Sequence, residues 1–351
     1  IQGTAEFVDA ATVRVADTGE KLRSDRIIIA AGSAPGRLSF PGADGPDVLD
    51  SNRVLALDSL PDRVVIIGGG VIGVEFAQIF HRFGAAVTVL EVLDRLVPGI
   101  DAEIAGALAQ SLADDGIEVV TGAKVQKITR KKGRTTVHFT DQTGARTAPA
   151  DKVVMAVGRR PNTAALGLDR IGAATDSGAV TVDDRMQTSI PNVYAAGDVT
   201  GGIMLAHVAT AEGECAAENA LGGDSRMSYR AVPSCIYTSP EVACVGLTEE
   251  AARKAGEIEV GRFPFYACGK ALVLNRTRGM VKIVSDRQYG EVLGVHIFGP
   301  HATDMIAEAV LGMTMEMTVE ELAHAIHPHP SLSETVMEAA MTLAGGAVHI
   351  P

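Results

Sequence analysis

Residues 64–91 read VVIIGGGVIGVEFAQIFHRFGAAVTVLE. The β-branched run Val64 to Ile67 stops at three glycines, and an amphipathic stretch follows with Ile72, Phe76, Ile79, Phe80 and Phe83 at helical spacing. The order is strand, tight turn, helix. Gly68, Gly70 and Gly73 satisfy Gly-x-Gly-x-x-Gly. The first glycine permits the turn, the second lets a pyrophosphate close on the backbone, and the third lets the helix lie against the strand. Unpaired N–H groups of the new helix then face the phosphate. Gly84 ends the helix, Val87 to Leu90 forms a second strand, and Glu91 closes it near the ~20-residue offset at which an acid reads a ribose 2′-hydroxyl. A carboxylate there repels a 2′-phosphate, so the expected dinucleotide is NAD rather than NADP, with Arg95 the nearby cation that bears on that preference. A glycine loop alone can end any buried strand. Strand, helix, second strand and acid in register favour dinucleotide binding.

Composition narrows the classes further. A chain of 351 residues with 46% hydrophobic and 21% charged residues has room for two or three domains and a large core. Its 38 glycines suit a fold with many strand-to-helix turns. A net charge of −12 argues against nucleic acid and against an anionic membrane surface as partners, and the absence of Trp leaves little stacking platform for single strands. No apolar run approaches the ~18 residues of a membrane span, and no signal-peptide pattern opens the chain, so a cytoplasmic location is expected. The chain starts at Ile1 without Met, from which removal of a preceding segment is expected. Cys215, Cys235, Cys244 and Cys268 show neither CxxC nor CxxxxC spacing, and buried thiols in a reducing compartment are expected. Cys235 and Cys244 flank Thr238-Ser239-Pro240 and are candidates to face each other across a hairpin.

Residues 1–30 read as a β-meander: Glu6 to Val8, Thr12 to Val15, then Lys21 to Ala30 leading through Ile27-Ile28-Ile29 into a Pro/Gly loop. A meander without its own βαβ unit suggests a first domain that lacks its neighbours. Residues 48–158 form one Rossmann unit, with a helix from Asp101, a strand Ile117 to Val120, an antiparallel ribbon of Val125 to Ile128 with Thr135 to Phe139, and a last buried strand Val153 to Val157. The basic cluster Arg130 to Arg134 reads as a solvated turn. Beyond Pro161, the strand Val193 to Ala196 delivers Asp198 at its carboxyl end, the ligand-facing end in α/β sheets, and Met204 to Leu221 is helix-like. Residues 230–351 read as α+β, with a helix Thr248 to Ala255, a hairpin about Asp286 to Gly290, a helix His301 to Met315 and a capping box at Thr318 and Glu321.

The segment His327-Pro328-His329-Pro330-Ser331-Leu332-Ser333-Glu334 carries the most suggestive chemistry. Two histidines held between prolines project from an extended segment, not from a helix. Ser331-x-x-Glu334 is itself a capping box for the next helix. Alternatively, Glu334 orients His329 as an imidazole general base, whose ordinary pKa of ~6.5 suits proton transfer near neutrality.

IIIAAGSAPG (27–36), VVIIGGGVIGVEFA (64–77), VVMAVGRRPN (153–162), VYAAGDVTGGIMLAHVA (193–209), VPSCIYTSPEVACVGLTEE (232–250) and HPHPSLSE (327–334), in this order, resemble the FAD-dependent pyridine-nucleotide disulfide oxidoreductases over essentially the whole chain. The resemblance is greatest to members that oxidise a protein-bound dihydrolipoyl group. It implies an α/β fold in which a Rossmann-type NAD domain (48–158) interrupts an FAD domain (1–47 and 159–229), followed by an α+β dimerisation domain (230–351). It further implies FAD and NAD as cofactors, a homodimer, and the lipoyl domain of a 2-oxoacid dehydrogenase or related complex as partner. Gly32 and Ser33 would line the FAD, Asp198 would bind its ribityl or phosphate portion, and Met204, Leu205, Ala206 and His207 would place N–H groups at the flavin ring. Gly68, Gly70, Gly73, Glu75, Glu91, Val125 and Gly158 correspond to NAD contacts, while His329 matches the base that takes a proton from the dithiol and Glu334 the acid that holds its ring. Family members begin with a glycine-rich FAD loop and a CxxxxC disulfide; neither occurs in this sequence, so the expectation is a C-terminal portion of such an enzyme. Other activities on the same scaffold (transhydrogenase, quinone or mercuric reductase) and a non-catalytic NAD-binding, dimerising module remain as alternatives.

Overall fold

The structure, a computed structural model, describes residues 1–349. Residues cluster into two compact units, one of Ile1–Gly36 with Gly158–Tyr229 and the other of Arg37–Val157 with the chain from Arg230 onward.

In the first unit, Ala5–Asp9, Thr12–Val15 and Lys21–Arg23 make a three-stranded antiparallel meander. Ile27–Ile29 leaves that sheet and pairs in parallel with Val193–Ala195. The continuous run expected from Lys21 to Ala30 is therefore split. Ser24 makes the break by donating its hydroxyl to the Arg26 carbonyl at 2.7 Å, a local bond that competes with the ladder. Phe7, Ile29, Leu168, Val180, Val193 and Val199 fill the core of this unit. Helix Ala206–Ala220 follows the turn Gly197–Thr200.

The second unit holds a parallel five-stranded sheet in the order Val48–Leu49, Lys152–Met155, Arg63–Ile67, Ala86–Leu90, Glu118–Val120. Its strands read as unbroken apolar runs because both faces are buried, and Val64, Val65, Ile66 and Val89 are all at most 1% exposed. Helices Val71–Arg82 and Ala102–Asp114 cross over between strands, the second capped by Asp101. The ribbon Lys124–Lys131 with Arg134–Asp141 gains a third strand, Gly144–Ala150. Its sequence, GARTAPA, is built mainly of small residues, lacks any large apolar side chain and is mostly exposed, so no apolar alternation announces it.

The C-terminal part of this unit is an antiparallel sheet in the order Ser234–Ile236, Glu241–Gly246, Val292–Gly299, Met280–Asp286, Ile258–Pro264, packed by helices Ala302–Thr314 and Glu334–Ala344. In its hairpin Cys235 opposes Ala243 and Cys244 opposes Ser234, so the two cysteines are one residue out of register and all four thiols are free. Burial pushes the Cys244 thiol up to about 12. The Thr318–Glu321 capping box is formed as expected. No described helix is long and apolar enough to cross a membrane.

Candidate functional site

The glycine loop is shaped by contact. Gly68 has φ +109°, and a Cβ there would lie 2.2 Å from the Ala156 carbonyl oxygen; at Gly73 it would lie 2.0 Å from the Gly68 carbonyl oxygen. Neither position accepts a side chain. Gly70, the N-cap of helix Val71–Arg82, instead faces open space. Close packing at two glycines and clearance at the third make a cradle that a pyrophosphate fits, with the first-turn N–H groups available to it.

Glu91 stands at the end of Ala86–Leu90, 6% exposed. Its carboxylate accepts the Gly69 N–H at 2.5 Å and the Leu93 N–H at 2.8 Å, so the acid braces the loop as well as standing beside it. Arg95 reaches the Pro98 carbonyl and lies 3.7 Å from Glu250. Glu75, one turn into the helix, accepts the Tyr237 N–H at 2.8 Å, and burial lifts its carboxyl above the ordinary range. Gln78, which the sequence did not single out, accepts the Ser239 N–H and donates to the Ser239 carbonyl. Val125 pairs with Phe139 just before a bulge.

In the first unit, Gly158 (φ +93°) accepts the Gly36 N–H at 2.8 Å. Gly32 (φ +67°) has open space where a Cβ would be. The neighbouring Ser33 hydroxyl donates to the Asp198 carboxylate. Arg159 completes this group: its Nε donates to Ser33 Oγ at 2.6 Å, its Nη2 to the Ser33 carbonyl at 2.9 Å, and the guanidinium lies 3.4 Å from Asp198. Arg159 sits in the quoted GRRPN motif, but only the pairing of Ser33 with Pro161 in a short antiparallel ladder brings it to Ser33. Met204 and Leu205 precede helix Ala206–Ala220 and His207 lies in its first turn, where backbone N–H groups lack intrahelical partners. A cavity of about 680 Å³ is lined in part by Arg159, Gly201, Met204, Glu212 and Tyr229. Carboxylate, guanidinium and helix N-terminus together match the hydroxyls, phosphates and electron-rich ring edge of a flavin dinucleotide.

The two tail histidines differ. His327 is almost enclosed: Nδ1 donates to the Ala325 carbonyl at 2.8 Å and Nε2 meets Glu308 at 2.7 Å, a pairing that raises its pKa. His329 is 76% exposed, and its Nδ1 donates to Glu334 Oε1 at 2.9 Å. The other oxygen of Glu334 accepts the Ser331 N–H at 2.8 Å. Burial works against the charge on Glu334, but the Ser331 N–H and the His329 ring outweigh it and hold the carboxyl below its usual range. One carboxylate therefore serves both readings of this segment, helix start and imidazole partner.

Residues 1–213 match the family described as "Pyridine nucleotide-disulphide oxidoreductase", and residues 232–340 match its "dimerisation domain". The chain belongs to the pyridine nucleotide-disulphide oxidoreductases. It is 41% identical to a dihydrolipoyl dehydrogenase of Bacillus subtilis (strain 168) over 352 residues, covering 99% of this chain and 76% of the relative. A dihydrolipoyl dehydrogenase of Thermus scotoductus is 44% identical over 356 residues, covering 100% and 76%. Among solved structures, the HOCl-induced flavoprotein disulfide reductase RclA of Escherichia coli superposes with a TM-score of 0.89 at 32% identity, covering 97% of this chain and 78% of that one. LpdA of Mycobacterium tuberculosis gives 0.88 at 31% identity, covering 98% and 77%. Dihydrolipoyl dehydrogenases use FAD and NAD, consistent with the cradles described above.

Proposed function

We propose that this protein is a dihydrolipoyl dehydrogenase, oxidising protein-bound dihydrolipoamide with NAD. When bound, FAD and NAD supply the redox chemistry; the residues of this chain bind, orient and move a proton. The observation that carries the reading is the His329–Glu334 pair. A carboxylate only accepts, so Nδ1 must carry the proton in their hydrogen bond, and in the neutral ring the lone pair is left on Nε2. Nε2 of an exposed imidazole, held in that tautomer by Glu334, is suited to take a proton from a dithiol. His327 is not, since both its nitrogens are engaged. Gly68, Gly70, Gly73, Glu75, Glu91, Val125 and Gly158 would hold NAD, while Gly32, Ser33, Asp198 and the Met204–His207 helix start, joined by Arg159, would hold FAD. The domain division read from the sequence (1–47, 48–158, 159–229, 230–351), a homodimer in which His329 serves the neighbouring protomer, a lipoyl domain as partner and a cytoplasmic location all belong to this reading.

The test is His329→Ala in the full-length enzyme. Dihydrolipoamide oxidation should fall by roughly 10²- to 10⁴-fold, the usual worth of a general base, while reduction of an artificial dye by NADH stays within a few-fold of wild type. Equal losses in both assays would refute the assignment, because only the first reaction requires a proton to leave a thiol.

A further inference from the structure

Glu212 is a carboxylate inside helix Ala206–Ala220, 3% exposed, in a stretch otherwise rich in alanine. A buried charge of this kind persists only with partners. It has two. One oxygen accepts the Gly197 N–H at 2.7 Å, and the other accepts the Tyr229 hydroxyl at 2.8 Å. Gly197 opens the turn that presents Asp198, at φ +76°, and a Cβ there would press to 3.1 Å against Ala209 of the same helix. The turn thus rests directly on the Ala209 methyl of the helix, and the Glu212 bond fixes their spacing. Burial, and then the hydrogen bond to Glu212 and its charge, push the Tyr229 phenol well above its ordinary range, so its hydroxyl stays a donor.

From this geometry we infer that Glu212 is a positioning residue for FAD: it locks the Asp198 turn against the helix that begins at Ala206, so that two separate sets of cofactor contacts keep one spacing. The inference rests on the FAD reading above and adds to it a residue that bonds the Asp198 turn from inside the helix that begins at Ala206. It acts by reach, not by charge.

Apoprotein of the full-length enzyme, titrated with FAD, tests it. Glu212→Asp keeps the charge but withdraws the carboxylate by one methylene, leaving the Gly197 N–H unsatisfied; the FAD dissociation constant should rise by about tenfold and the visible bands of the bound flavin should shift. Glu212→Gln keeps the reach, with its amide oxygen accepting from Gly197 and its amide nitrogen donating to the Tyr229 oxygen, and should stay within about threefold of wild type. Tyr229→Phe removes one Glu212 partner but leaves the Gly197 bond in place, so it should raise the FAD dissociation constant less than Glu212→Asp does. The inference is overturned if Gln weakens FAD binding as much as Asp does, or if Asp lowers the melting temperature of the apoprotein while leaving FAD affinity and spectrum unchanged. A full-length wild-type protein that takes up no FAD overturns the underlying reading as well, and is told apart by the wild-type titration alone.

Discussion

A carboxylate offers about four lone-pair sites, and at Glu91 the Gly69 and Leu93 N–H groups use two of them. The rest would be open to ribose hydroxyls, so on the proposed NAD reading one side chain would hold the glycine loop and meet the sugar at its rim. Glu91→Ala should therefore do two things. NADH binding should weaken by about tenfold, since a loop N–H loses its buried acceptor, and the preference for NADH over NADPH should shrink because the repulsion of a 2′-phosphate is gone. Fluorescence titrations of the full-length protein with each nucleotide measure both effects; an unchanged ratio of the two affinities would remove Glu91 from the ribose role. The offset of the acid from the glycines was legible in the sequence because it is set by the length of a βαβ unit. Its bond to Gly69 was not, because that depends on where one peptide plane points in a turn. Arg159 was hidden for a similar reason: it meets Ser33 across 126 residues of chain, and no local pattern encodes that pairing.

Helix Glu334–Ala344 shows what an element adds to its residues. Ser331-x-x-Glu334 promised a reciprocal capping box, but only half of it forms. Glu334 reaches back to the Ser331 N–H, whereas the Ser331 hydroxyl bonds to Ser333 Oγ and the helix starts later than the motif implied. The half that forms occupies one Glu334 oxygen and leaves the other for His329. Glu334→Ala removes both bonds, so it should lower stability by about 1 kcal/mol, as the loss of a helix-start acceptor does, and slow dihydrolipoamide oxidation while leaving dye reduction by NADH little changed. Thermal unfolding and the two assays together check this; a stability loss with no effect on dithiol oxidation would leave Glu334 as a cap alone. Elements with a strong period or cap, such as the fingerprint helix and the Thr318–Glu321 start, were legible in the sequence. Gly144–Ala150 was not, since an edge strand of small residues is specified by its neighbour's ladder and not by its own composition.

At the scale of the whole molecule, the second unit is tied together by charge that no stretch of sequence displays. Lys282, 2% exposed on Met280–Asp286, places its ammonium 2.8 Å from Asp101, 2.9 Å from Glu103 and 2.8 Å from Glu249, and Arg262 pairs with Glu103 and Glu249 as well. Asp101 and Lys282 are 181 residues apart. Burial alone would disfavour their charges, but the mutual hydrogen bonds prevail, holding Asp101 below its ordinary pKa and Lys282 above. The lysine's raised value means that its contribution is fully present below its unfolded pKa and is lost only as the pH rises through its folded one. The depressed values of Asp101 and Glu249 mean that theirs is present above the unfolded carboxylate range and is lost as the pH falls through the lowered ones. His296, buried and driven down by burial, subtracts stability in the same acid direction but begins nearer pH 6.5. Lys282→Met, similar in length but without charge, leaves Asp101 without its cation. Stability at pH 7 should fall by about 3–5 kcal/mol, the usual effect of breaking one partner out of a buried pair. The deficit should then narrow as the pH drops below about 4, where the carboxylates of the variant are neutralised first and those of the wild type follow. Denaturant unfolding from pH 3 to pH 8 would follow this convergence, and a deficit independent of pH would assign the loss to packing around Lys282 instead of to its charge.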